Sequence, residues 1–264
     1  MNARDDEMGK IIAVANQKGG VGKTTTAVNL TGALKLLNKK VLLCDSDPQG
    51  NATGAMGIDK SRVKAGTYDV MIGRTAAKDA VIKTKYGDVL ASNRELSGAG
   101  IELVDAEDRE YVLKNAIAEL KNEYDYIIID CPPSLELLTL NALCAADTIL
   151  IPVQCEYFAL EGLADLMSTV RLIKRRLNPE ISIEGVVLTM YDGRTNLCLQ
   201  VAGEVKKYFK DKVYKTVIPR NVRLSEAPSH GKPVTAYNFG SRGAQAYLAL
   251  AKELDERNGR KEWS

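Results

Sequence analysis

No apolar run in the sequence approaches the roughly 20 residues that span a bilayer; the longest, such as 149–153, stop far short of it. No basic segment followed by an apolar stretch opens the chain, so a secretory signal is not expected. The five cysteines, Cys44, Cys131, Cys144, Cys155 and Cys198, include no C-x-x-C pair. An odd count without metal-ligand spacing argues against a disulfide framework or a zinc ribbon, and it fits reduced core thiols in a cytosolic protein. Low-complexity linkers and internal repeats are also missing. There is one histidine, His230, in a Ser-His-Gly-Lys-Pro string. With no serine–histidine–carboxylate pattern around it, His230 reads as a loop residue rather than a catalytic base.

What remains is ordinary for a globular chain. Of 264 residues, 45% are apolar and 27% charged, which is too apolar for disorder. That length suits one doubly wound unit. The formal charge of +2 is unevenly divided: residues 171–232 carry 13 Lys/Arg against 6 Asp/Glu. Such a segment fits either a face that meets a polyanion or a set of solvated helix surfaces.

Short apolar runs and helical patterns alternate along the chain. Strands are predicted at 10–15, 41–44, 125–130, 148–153, 183–190 and 215–219. Helical spacing of apolar residues marks 22–37, 109–121, 135–145, 160–177, 195–209 and 241–256. Strands that are apolar throughout, separated by helices, predict an α/β fold: a single domain with a doubly wound, mostly parallel sheet and helices on both faces. Residues 54–106 are less regular and rich in glycine, and are expected as loops and small helices over one edge.

Between the first strand and the first helix runs Asn-Gln-Lys-Gly-Gly-Val-Gly-Lys-Thr-Thr, residues 16–25. Glycines there let successive backbone N–H groups approach phosphate oxygens, and the helix N-terminus adds positive potential. Lys23 is placed to reach the β- and γ-phosphates, Thr24 to ligate Mg²⁺, and Thr25 to lie beside the α-phosphate. Gln17 stands where the usual phosphate loop begins with glycine, and Lys18 is an additional lysine. Asp45 and Asp47 end the second strand in Asp-Ser-Asp-Pro-Gln-Gly-Asn, where ligands bind in open α/β sheets. A turn-forming pair of aspartates fits the same string. Asp130 ends the Tyr-Ile-Ile-Ile strand, a position suited to holding Mg²⁺ directly or through water.

The loop string Lys-Gly-Gly-Val-Gly-Lys-Thr-Thr resembles the deviant Walker A motif of the ParA/Soj partition ATPases, which have the P-loop NTPase fold. That family is related to the septum-site protein MinD and the nitrogenase iron protein. Asp-Cys-Pro-Pro-Ser at 130–134, Thr-Met-Tyr-Asp-Gly-Arg-Thr-Asn-Leu from Thr189, and Ile-Pro-Arg-Asn-Val-Arg-Leu-Ser-Glu-Ala-Pro from Ile218 resemble it too. The resemblance implies ATP and Mg²⁺ as cofactors, with residues Lys18, Gly19, Gly20, Val21, Gly22, Lys23, Thr24, Thr25, Pro219 and Asn221 at the nucleotide. It implies that Thr24 and Asp130 hold the metal. Lys18 would cross to the partner's nucleotide in an ATP-dependent homodimer, acting with Lys23 and Asp47 in catalysis. Asp47 would orient or deprotonate water, while Asp45 would support the magnesium shell or the loop. Arg194 and Arg223 would contact double-stranded DNA without sequence preference, with Lys206, Lys207, Lys210, Lys212 and Arg220 widening the field. A ParB-type centromere-binding protein would stimulate hydrolysis, and the protein would be cytoplasmic and nucleoid-associated.

By the same resemblance, Met8-Gly9-Lys10 looks like the family's usual start. Residues 1–9 are then an N-terminal extension, 10–257 the ATPase domain and 258–264 a polar tail. The alternative is a MinD-like cell-division-site ATPase. That class ends in an amphipathic membrane helix, whereas this chain ends in a charged tail with one Trp, so no membrane partner is expected. A metabolic ATP-dependent ligase would need a small-molecule pocket that no motif here specifies.

Overall fold

The structure is a computed structural model that describes residues 8–157 and 159–259. The stretches 1–7 and 260–264, most of the expected extension and tail, lie outside the described residues. Seven strands form one sheet: β1 (Lys10–Val14), β2 (Val41–Asp45), β3 (Val81–Ile82), β4 (Asp88–Leu90), β5 (Tyr126–Asp130), β6 (Thr148–Gln154) and β7 (Ser182–Thr189). Their order is β3-β4-β2-β5-β1-β6-β7, and every pair is parallel except β3 with β4. The chain leaves β1 first toward β2 and β4, then returns and continues outward through β6 and β7. That reversal opens a crevice at the C-terminal ends of the strands.

Alternation along each central strand feeds two cores. Ile11 and Ala13 of β1 and Ile127 and Ile129 of β5 point into one, with Leu143, Leu166 and Val205 from covering helices. Ile12, Val14, Tyr126 and Ile128 point into the other. There they meet Leu30 and Leu34 of helix α1 (Lys23–Leu36) and Tyr247, Leu250 and Leu254 of the last helix, Arg242–Arg257. Burial on both faces is why these strands read as unbroken apolar runs. All five cysteines are buried and free. No helix among the described residues is long and apolar enough to cross a membrane.

Three local expectations are corrected. Residues 215–219 form no strand. The backbone N–H groups of Lys215 and Thr216 donate to the Glu253 carboxylate at 2.8 and 2.9 Å, and Pro219 has no N–H to offer. Only single bridges, Val186 to Val213 and Tyr191 to Pro219, join this segment to the sheet side. The stretch 109–121 divides into a helix at Val112–Ile117 and a 3-10 turn at Ala118–Asn122. In the irregular region, β3 and β4 extend the sheet with two and three residues, too short to show a period.

Gly185 marks the tightest backbone approach on β7. A Cβ there would stand 2.4 Å from the Tyr214 ring and 2.8 Å from the Lys212 carbonyl oxygen. The ring cannot retreat freely, because Tyr214 is buried and the Arg257 guanidinium covers it at 4.1 Å. Gly185→Ala is therefore expected to destabilise the fold by about 1–3 kcal/mol through overpacking. Chemical denaturation checks this, and an unchanged midpoint would show that β7 shifts without strain.

Candidate active site

The loop after β1 is suspended from two other strands. Asn16 Nδ2 donates to the Pro152 carbonyl on β6 at 2.8 Å, and Asn16 Oδ1 accepts from the Lys18 N–H at 3.0 Å. At the far end, the Thr189 hydroxyl on β7 donates to the Val21 carbonyl at 2.7 Å. Gly20 and Gly22 take φ of +76° and +90°, a region where a side chain is strained. No atom of the described residues comes within 4 Å of a Cβ added at Gly19 or Gly20, so the loop's outer side is open. Helix α1 begins at Lys23 with no side-chain cap and no acidic residue in its first turn. Its first N–H groups and its dipole are thus free to meet an anion.

The two loop lysines sit in different environments. Lys23 is buried, and its ammonium donates to the Lys18 carbonyl at 3.1 Å. Burial lowers its pKa, against the opposing pull of Asp130, Cys131 and Asp47. Lys18 is about one-third exposed, and its ammonium stands 3.0 Å from Glu156 Oε2.

Parallel pairing of β2 with β5 sets Asp45 opposite Asp130. Asp45 accepts from the Thr53 N–H at 2.8 Å, the Thr53 hydroxyl at 2.7 Å and the Asp47 N–H at 3.2 Å. Burial nevertheless pushes its pKa up to about 6. Its oxygens are committed to the turn and to the helix Asn51–Ala55, so of the two expected roles the geometry favours support of the loop. Asp47 is nearly buried; its Oδ1 accepts from the Gln49 N–H at 2.9 Å, and the Ser92 hydroxyl donates to its carbonyl at 2.8 Å.

Asp130 is the unusual group. It is fully buried, and neither carboxylate oxygen has a hydrogen-bond partner among the described residues; the Ser46 hydroxyl is likewise unpartnered. Burial drives the Asp130 pKa well up and Asp45 adds to the shift, while Thr24 and Lys23 oppose it. Two orphaned carboxylate oxygens beside a threonine hydroxyl form an oxygen donor set, which is what a hard divalent cation takes. The residues present therefore fit Mg²⁺.

Pro219 and Asn221 reach the same end of the sheet through β7. Ile218 N–H donates to the Leu188 carbonyl at 2.8 Å and Tyr191 N–H to the Ile218 carbonyl at 2.9 Å, next to the Thr189 that holds the loop. Asn221 caps the helix Val222–Glu226 by accepting from the Arg223 N–H. Arg194 and Arg223 are exposed, yet each is paired locally. Arg194 grips Asp192 through two N–H groups at 2.8 and 2.7 Å, which lowers the Asp192 pKa to about 2. Arg223 holds Glu226 at 2.7 Å. His230 is exposed and stacks on Tyr237.

Thr53, Ser92, Asn16 and Glu156 support this site without having been singled out from sequence. Asn16 and Thr189 stood inside the quoted strings; Glu156 carried no signal at all.

A strand, a glycine loop, a helix with an uncapped N-terminus, and a buried aspartate without hydrogen-bond partners at the end of the neighbouring strand define a phosphate-loop nucleotide-binding protein of the doubly wound class. Residues 9–183 match the family model described as an AAA domain. Over 249 residues the chain is 60% identical to sporulation initiation inhibitor protein Soj of Bacillus subtilis (strain 168), covering 94% of this chain and 98% of that protein. It is 49% identical over 253 residues to chromosome partitioning protein ParA of Myxococcus xanthus (strain DK1622), covering 95% and 89%. Among solved structures, cobyrinic acid a,c-diamide synthase from Mycobacterium smegmatis with bound ATP analog and magnesium superposes with a TM-score of 0.85. That match has 36% identity and covers 96% of this chain and 97% of that one. The chain belongs to the Soj/ParA family of chromosome-partitioning ATPases.

Because the Asp130 pKa is raised in the folded state, its contribution to stability is complete below its unfolded value of about 4. That contribution is lost as pH rises through the folded value. Asp130→Asn removes the effect. The unfolding midpoint of the ligand-free variant should therefore gain on the wild type as pH is raised from about 4 to about 8. Thermal unfolding across pH checks this, and a pH-independent gap would contradict a buried carboxylate whose pKa is raised.

Proposed function

We propose that this ATPase dimerises with ATP, binds DNA without sequence preference in that state, and hydrolyses ATP when a ParB-type partner stimulates it. The observation that carries the reading is the division of labour on one loop. Lys23 is buried beside Asp130, whereas Lys18 is about one-third exposed and its ammonium pairs with Glu156. A second cation in that position can reach a triphosphate in a partner subunit, which ties association to ATP. The ATPase unit in this reading runs over 10–257.

ATP and Mg²⁺ are the cofactors. Gly19, Gly20, Val21 and Gly22 present backbone N–H groups, Lys23 takes the β- and γ-phosphates, Thr25 lies by the α-phosphate, and Pro219 and Asn221 flank the base side. Thr24 and Asp130 would hold Mg²⁺, which neutralises charge on the transferring phosphoryl group when bound. Asp47, fixed through Gln49 and Ser92, orients or deprotonates the attacking water. Arg194 and Arg223 meet DNA phosphates. Arg194 has donors left over after binding Asp192, and a phosphate can compete for the rest. Such a dimer works in the cytoplasm on the nucleoid.

ATP turnover measured with DNA and a cognate ParB-type protein, separately and together, tests the whole reading; stimulation by neither would overturn it. Asp47→Ala should bind ATP and accumulate as a dimer while turning over about 10²–10⁴-fold more slowly. Unchanged turnover by phosphate release would move the base elsewhere.

Affinity for DNA should fall with salt at a log–log slope of about −0.9 per neutralised phosphate. Each arginine occurs twice in a two-fold dimer, so Arg194→Ala or Arg223→Ala should make that slope shallower by roughly two units. Filter binding at several salt concentrations reads it. A double variant that follows the wild-type line would assign the contact to other cations, with the lysines at 206–212 next in line.

A further inference from the structure

The Lys18 side chain is not free in the single subunit. Its ammonium is 3.0 Å from Glu156 Oε2, and the other Glu156 oxygen accepts from Gln154 Nε2. Glu156 lies in the connection between β6 and the helix Ala159–Arg176. Gly162, in the first turn of that helix, comes so near that an added Cβ would stand 4.0 Å from Lys18 Cβ. Lys18 is also tied at its backbone, because its carbonyl accepts from the Lys23 ammonium. The two loop lysines are thus linked in series: Lys23 holds the main chain of Lys18, and Lys18 in turn holds Glu156.

We propose that Glu156 is a positioning residue that keeps Lys18 parked within its own subunit until nucleotide and a partner together displace it. The inference rests on the reading that Lys18 acts across the dimer. Nucleotide drawing the Lys23 ammonium onto phosphate releases the Lys18 carbonyl. The remaining restraint is the ion pair, which must be exchanged for the partner's phosphates. An ATP-free subunit then presents a neutralised pair at its association face, where an unpaired cation would attract any passing polyanion.

Both groups are partly exposed, so one pair shifts an equilibrium by only about 1.4- to fivefold. Two copies break in a symmetric dimer, giving roughly two- to twenty-fivefold in the dimer dissociation constant. The experiment is sedimentation equilibrium of the full chain with Mg²⁺ and a slowly hydrolysed ATP analogue. Glu156→Gln is expected to tighten the dimer by that factor, with the gain shrinking as added salt screens the pair. Glu156→Asp should return part of the way to the wild-type value. Combined with Lys18→Ala, the gain should vanish and the chain stay monomeric.

ADP affinity by calorimetry reports whether the fold survives; should Glu156→Gln lose it, Glu156→Ser carries the same comparison. An unchanged or weaker dimer with ADP affinity intact overturns the parking role while leaving the trans lysine standing. Normal dimerisation of Lys18→Ala alone instead overturns the trans reading itself.

Discussion

Two aspartates face each other across the β2–β5 ladder in a place where neither can be hydrated as it would be at the surface. Everything at this end of the sheet is arranged around that repulsion. Asp45 is satisfied internally, by Thr53 and the turn that follows, and becomes a structural anchor. Asp130 lacks any such network among the described residues, with only the Thr24 hydroxyl and the Lys23 charge near it to offset its burial. A charge in that state is tolerable only if it is neutralised by a proton or by a cation. The fold therefore carries an energetic demand that a proton or a bound cation would meet. Stability has been given up at the position where binding is required, as is common at functional sites.

The loop above those carboxylates gains its shape from strands that are remote in sequence. β6 holds its beginning through Asn16, and β7 holds its end through Thr189. Immediately beyond Thr189 the chain turns through Met190, with φ of +48°, and runs to Asp192 and Arg194. The segment that ends in Asn221 and Arg223 hydrogen-bonds to the same strand end. One buried hydroxyl thus stands between the phosphate loop and both basic segments. A change in the loop carbonyl at Val21 has a short, packed route to the surface that carries the arginines.

The sheet and its helices were largely legible in the sequence, because strands covered on both faces must be apolar at every position. Lys10–Val14 and Tyr126–Asp130 are the plainest cases, and the glycine loop between β1 and α1 carried its own chemical signature. What could not be read was set by long-range contacts. The Glu253 carboxylate, from the last helix, takes the N–H groups that would have made 215–219 a strand. β3 and β4 are too short to have a period. Which of its two expected roles Asp45 takes depends on its meeting Thr53, and nothing local in Asp-Ser-Asp records that. Glu156 was invisible for the same reason: an ion pair across 138 residues leaves no pattern.

Neither margin of the sheet presents a long open strand. On one side the outermost strand is a two-residue antiparallel stub, β3, with Lys83 next to it in sequence. On the other, Tyr214 and Ile218 donate their N–H groups to β7, so the outer rim of that strand is already occupied by its own chain. Open strand edges are what allow β proteins to zip together indefinitely. Any protein at high local concentration is exposed to that hazard. With one edge reduced to a stub and the other taken up by its own chain, the sheet of a single subunit offers no long strand edge to which a second copy could add.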